Sequence, residues 1–364
     1  MGRKNNQTII RVLVLYALLF SACVKDKPSA PVAPPPANTT DTPTGNVYVV
    51  CEGSLGNGNS KLSMYDTHAG IAYEDVYASV NSNASLGDVF QSMVRIEDRF
   101  FLCINNSDKI IVLNRADRKQ VGSINIPKPR FILPISADKA YVSTLFSNKV
   151  YIINRQSLQV TGSITMPYQN PEGMVMYNNK AYICTWDTAC GNVYTIDPAT
   201  DKIEKTIAIA GRAPQKAVID KHNRLWVLSG NVPKGKPAAF TVLDANNNVV
   251  KSYSFPEKAD VMNTILNNTG DKLYYIAVNY NGGTDYNGIY RMGIEDADVP
   301  QAPFIQAQQY QYFWALGIHP VNGNVYIGDP KGFIQKGAVY TYDATGNKTG
   351  QFSVGVGPGH FYFD

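Results

Sequence analysis

The stretch "AYICTWDTACGNVYTIDPATDKIEKTIAIAGRAPQKAVID" (181–220) contains four short segments of one kind. "AYI" sets an aromatic between two apolar residues, "VYTID" ends in an aspartate, "EKTIAI" alternates polar with apolar, and "QKAVID" runs into a polar turn. Period-two runs rich in Val, Ile and Tyr and bounded by Gly, Asp and Pro read as β-strands, and no helical period competes with them. Four strands in about 40 residues make one small antiparallel sheet with two apolar faces.

The unit recurs along the chain. Aromatic-centred strands occur around Tyr48, Phe101, Tyr141, Tyr182, Trp226, Tyr274 and Tyr326, at spacings of 53, 40, 41, 44, 48 and 52 residues. Each is followed by a strand such as "LSMYD", "VYIIN" or "VYTYD", and most then by an outer run such as "VGSINI" or "TGSITM". A four-strand repeat of this length predicts a β-propeller, because each sheet has apolar faces that only its neighbours can cover. The count predicts an all-β, seven-bladed ring over residues 46–364. The chain begins on an aromatic strand and ends on "HFYFD" (360–364), a segment of the fourth type with no successor. The C-terminal strand is therefore expected to become the innermost strand of the N-terminal blade and close the ring. The repeat resembles the YVTN-type propellers, with 181–220 as its cleanest copy; that likeness implies fold and leaves function open.

Two sets of loops are expected to open on one face. The loops between the second and third strands of the blades include 51–60, 184–192, 229–239, 279–288 and 328–337; those between blades include 83–92, 127–131, 167–173, 210–215 and 308–315. They carry Phe90, Phe131, Phe146, Tyr168, Trp186, Tyr280, Tyr286, Tyr310, Tyr312, Phe313 and Trp314 among Gln91, Gln169, Asn170 and a few charges. Rigid aromatic planes beside amides suit a large, flat, partly polar ligand. "QQYQYFW" (308–314) is the leading segment, since three adjacent aromatics cannot all face one core. Trp186 follows, because it lies between Cys184 and Cys190, a pair expected to form a disulfide in an oxidising compartment. Arg130 and Arg212 both precede an innermost strand. Each either points into the central channel or bonds carbonyls where its blade begins.

No catalytic residues are identified. The four histidines, His68, His222, His319 and His360, share no blade position, and no set of them has metal-ligand spacing. Asp66, Asp197, Asp244 and Asp343 recur at strand ends and read as turn chemistry. Cys51 and Cys103 read as small buried apolar residues.

Residues 1–22 combine Arg3, Lys4 and Arg11 with the apolar run "VLVLYALLF" and small residues, the layout of a secretory signal. "FSAC" resembles a bacterial lipobox, with Phe20 where that pattern prefers Leu; the likeness implies lipidation at Cys23. Residues 23–45, rich in Pro, Thr and Ala, are expected to form a flexible tether. Losing three basic residues with the signal takes the formal charge from +4 to +1, so no basic surface points to nucleic acid.

"NVYVVCEGSLGNGNSKLSMYD" (46–66) behind such a tether resembles the opening of surface propeller lipoproteins that capture cobalamin for a TonB-dependent transporter. Cys51 stands where that opening has Asn. The resemblance implies a monomeric, non-enzymatic capture protein on the outer membrane, lipid-anchored and handing cobalamin to a transporter. A protein- or glycan-interaction propeller is the alternative, and a propeller enzyme of lactonase or lyase type is a third.

Overall fold

The computed structural model describes residues 45–280 and 286–364. The expected signal, Cys23 and nearly all of the tether lie outside them. Seven four-stranded antiparallel sheets form seven blades. The innermost strands are Pro358–Phe363 in blade 1, Phe90–Ile96 in blade 2, Pro129–Pro134 in blade 3 and Pro171–Tyr177 in blade 4; Pro214–Ile219, Asp260–Leu266 and Ala315–Ile318 follow in blades 5 to 7. The C-terminal strand closes blade 1 as expected, pairing Val47 with Phe363, Tyr48 with Tyr362 and Val49 with Phe361.

Strand alternation explains why a ring forms. Successive side chains leave opposite faces of a strand, so each blade feeds two interfaces. In blade 1, Tyr48 and Val50 pack with Phe100 and Leu102 of blade 2, whereas Val47 and Val49 pack with Tyr326 and Val339 of blade 7. In blade 2, Phe100 and Leu102 face backwards and Phe101 and Cys103 face forwards to Val142 of blade 3. The seven buried apolar clusters correspond to the seven blade interfaces. All seven repeat aromatics are buried in them, and Cys51 and Cys103 are buried too. Polar tips on these aromatics reach partners at the blade edge: the Trp226 indole N–H donates to Asp220 (2.8 Å) and the Tyr182 hydroxyl to Asn247 (2.6 Å).

Strand-end aspartates do cap turns. Asp66 accepts the backbone N–H groups of His68 and Ala69, and Asp343 those of Thr345 and Asn347. Cys184 and Cys190 are buried free thiols, not the expected disulfide. They belong to core clusters on opposite sides of blade 4, Cys184 toward blade 5 and Cys190 toward blade 3. No helix among the described residues is long and apolar enough to cross a membrane.

Candidate functional site: a polar collar under an aromatic rim

Six innermost strands depart from regular pairing near their first residues. The register shifts at Phe90/Ser92, Pro129/Ile132, Pro171/Met174, Pro214/Lys216 and Met262/Ile265, and opposite Pro358 in blade 1. A bulge frees a residue from the ladder and re-aims its side chain. Gln91, Arg130, Glu172, Gln215, Asn263 and Gly359 are among the residues freed here. They make a collar around the channel.

Arg130 is its hub. Its guanidinium forms a two-point pair with Glu172 (Nε to Oε2 2.9 Å, Nη2 to Oε1 2.5 Å) and also donates to the Gln91 side-chain oxygen. Burial opposes the Arg130 charge, but the Glu172 carboxylate outweighs it and keeps the guanidinium protonated. Across the collar, Gln215 donates to the Gly230 carbonyl (2.7 Å) and Asn263 to that of Trp314 (2.5 Å). Glu52 accepts from the Trp314 indole (2.7 Å). It occupies the space beside Gly359, where any side chain would collide with its carboxyl.

Burial pushes the Glu52 carboxyl up to about 7, with the Trp314 hydrogen bond and the Arg130 charge pulling the other way. Between its ordinary value of 4.5 and 7, the folded chain holds a proton there that the unfolded chain has lost. This group's contribution to stability therefore falls as pH rises through that window and is constant above it. His360 acts in the opposite sense, because burial lowers it from 6.5 to about 4 and stability rises as it sheds its proton. The two slopes offset each other in the native protein. Glu52→Gln is expected to expose the His360 slope, with the melting temperature gaining on the order of a few degrees over the parent's trend between pH 5 and 7. Thermal melts at pH 5, 6, 7 and 8 check this; parallel curves for parent and variant would refute it.

The expected site residues divide into three groups. Arg130, Gln91 and Trp314 meet in the collar. Tyr280, Tyr310, Tyr312 and Trp186 form part of the rim: Tyr280 lies over Tyr312 (centroids 6.1 Å apart, planes at 22°), and Tyr310 is 77% exposed. Trp186 is half-buried and donates to the Gly230 carbonyl (3.1 Å). The third group is structural. Phe90 and Phe313 are buried in the core: Phe90 begins the innermost strand of blade 2, and Phe313, in the loop before the innermost strand of blade 7, packs between blades 6 and 7. Arg212 is exposed and bonds the Ala189 carbonyl (2.8 Å), so the two arginines divide between the two readings. Asn170 is used up in the loop, accepting the Phe146 backbone N–H (2.7 Å). Tyr168 and Tyr286 pack against core clusters, and Gln169 is exposed.

Glu52, Glu172, Gln215 and Asn263 were not anticipated. A signal for two of them does exist: Arg130, Glu172, Gln215 and Gly359 each directly follow the proline that starts an inner strand, whereas Arg212 precedes one by two residues. Among the described residues, no group of three or more His, Cys, Asp or Glu side chains is placed to hold a metal ion.

Seven four-stranded blades closed by the C-terminal strand define this chain as a seven-bladed β-propeller. The chain belongs to the family described as Domain of unknown function (DUF5074), whose model matches residues 45–364. No curated protein matches it. Among solved structures it is similar to a quinonprotein alcohol dehydrogenase-like protein from Bacteroides thetaiotaomicron (TM-score 0.68, 15% identity, covering 88% of this chain and 78% of that one). It is also similar to the periplasmic gluconolactonase of Pseudomonas aeruginosa (TM-score 0.65, 11% identity, 87% and 99%) and to hydrazine synthase of Kuenenia stuttgartiensis (0.62, 13%, 72% and 85%). At these identities the likeness is one of fold.

Proposed function

We propose that this protein is a lipid-anchored, non-enzymatic capture protein of the outer membrane. Its long-loop face holds a large, flat, amide-bearing cofactor, with cobalamin the favoured cargo, for transfer to a TonB-dependent transporter. The observation that carries this reading is a concentration of exposed apolar side chains on the loops of one face. Leu55, Phe146, Tyr310 and Ile334 are each at least 75% exposed, and the Tyr280–Tyr312 stack lies on loops of the same face. Apolar groups gathered over a polar collar are what a flat ligand with hydrogen-bonding arms requires. Aromatic planes supply area, and Gln91, Arg130 and Gln215 supply donors.

The test is to mix the purified protein with excess cyanocobalamin, desalt it and record the visible spectrum. A corrinoid band retained at near-equal stoichiometry is expected. Tyr280→Ala and Tyr310→Ala should each weaken binding by about tenfold, roughly 1.4 kcal/mol per lost stacking ring. Tyr310 is exposed enough that its loss leaves stability unchanged. A colourless protein would overturn the cobalamin reading and turn the same face toward protein or glycan partners.

A further inference from the structure

Beside the collar, the channel holds a cavity of about 260 Å³. It reaches Ile318 and Phe363 near the ends of their inner strands and Pro320 in the turn beyond, so it lies toward the face opposite the long loops. Two polar side chains in its wall follow bulged residues directly: Lys216 comes after Gln215, and His360 after Gly359.

Lys216 has no counter-charge. Among the described residues its ammonium makes no hydrogen bond or ion pair, and burial alone pulls it down to about 8. The imidazole Nδ1 of His360 is buried without a partner. Burial first, and the Lys216 charge second, hold that ring neutral at pH 7. The rest of the wall is largely apolar, with Ile265, Leu316 and Ile318 prominent. A half-buried, unpaired cation facing apolar surface is costly, and so is an orphaned buried nitrogen. An anion with an apolar body would relieve both.

We propose that the channel cavity is a second binding site, for a small organic monoanion whose carboxylate is held by Lys216 and His360 while its body packs on Ile265, Leu316 and Ile318. This site is independent of the rim and of whatever the rim captures. One lysine and one neutral imidazole match a single negative charge. A dianion such as phosphate would bring a second charge and no apolar surface for the wall.

The wall also sets the pH response. Blade 5 contributes Lys216 and blade 1 contributes His360 and Tyr362, whose phenol burial keeps protonated. Blades 6 and 7 contribute Asn263 and apolar groups, none of which titrates. Affinity is therefore steady from pH 5 to 7 and falls as Lys216 loses its proton above about 8.

Isothermal titration of the purified protein with sodium hexanoate at pH 7 tests the proposal. Hexanoate is expected to bind, with hexanamide and inorganic phosphate at least tenfold weaker and with weaker hexanoate binding at pH 9. Lys216→Met should lose at least tenfold in hexanoate affinity while folding at least as stably, since an apolar chain of similar length replaces an unpaired cation. Lys216→Arg should retain binding. Equal hexanoate affinity in the parent and Lys216→Met, or no binding to the parent at about 10 mM, a level at which even a weak site would register, would overturn the site. Neither result depends on the cyanocobalamin experiment, which reads the other face.

Discussion

A chain lacking Pro358–Asp364 is expected to lose cooperative unfolding altogether. These residues supply blade 1 with its innermost strand, and every other described strand already has a place in a blade. Phe361 and Phe363 pack on Tyr326 of blade 7 at centroid distances of 6.0 and 5.3 Å, and Tyr362 meets Phe100 of blade 2 at 5.6 Å. Burying Phe361 fully and Tyr362 and Phe363 in part contributes about 5 kcal/mol together. Asp364 adds an ion pair: its carboxylate accepts from Arg115 at 2.8 Å, with side-chain exposures of 1% and 8%. Removing one partner of such a pair costs about 3 to 5 kcal/mol, because the other is left buried and charged. The total of about 8 to 10 kcal/mol is comparable with the whole stability of an ordinary domain. Circular dichroism during urea titration checks this. A truncated chain with one sharp transition near the parent's midpoint would show that the ring does not depend on this strand.

The second large effect is expected at the collar. Glu172→Gln should destabilise the protein by about 3 kcal/mol, at the lower end for a broken buried pair because both side chains keep some exposure. The side chains of Arg130 and Glu172 are 14% and 9% exposed. The substitution preserves shape and removes the charge that holds the guanidinium. Arg130→Met should cost a similar amount by stranding the carboxylate. The double variant, Arg130→Met with Glu172→Gln, should be less destabilised than the two single losses added together, because no charge is then left unpaired. Urea denaturation of the four proteins gives the coupling. Losses under about 1 kcal/mol for Glu172→Gln would mean that solvent already screens the pair.

How much of this was legible depends on how far apart the interacting residues lie in the chain. The repeat aromatics, the turn aspartates and the closing strand were readable, because each depends on neighbours within a few residues or on a period that recurs. The core role of Phe90 and Phe313 was not. Both lie in loop-like stretches next to aromatic or polar residues; the face Phe90 takes depends on where its strand begins, and Phe313 is buried by the way its loop folds between two blades. Arg130 and Arg212 look equivalent as basic residues ahead of a strand, but a shift of three positions relative to the proline separates a channel ligand from a loop clamp.

The amino-acid sequence alone determined the seven sheets and the order in which they close, since period-two alternation is a property of consecutive residues and leaves each blade two apolar faces to cover. The tertiary structure alone decided the site. Glu52 meets Trp314 across 262 residues, and Arg130 meets Glu172 across 42. Arg130 and Glu172 meet because bulges turn both side chains out of their ladders, whereas Glu52 and Trp314 flank the ends of their strands; both pairs need the closed ring to bring the strands to a common axis.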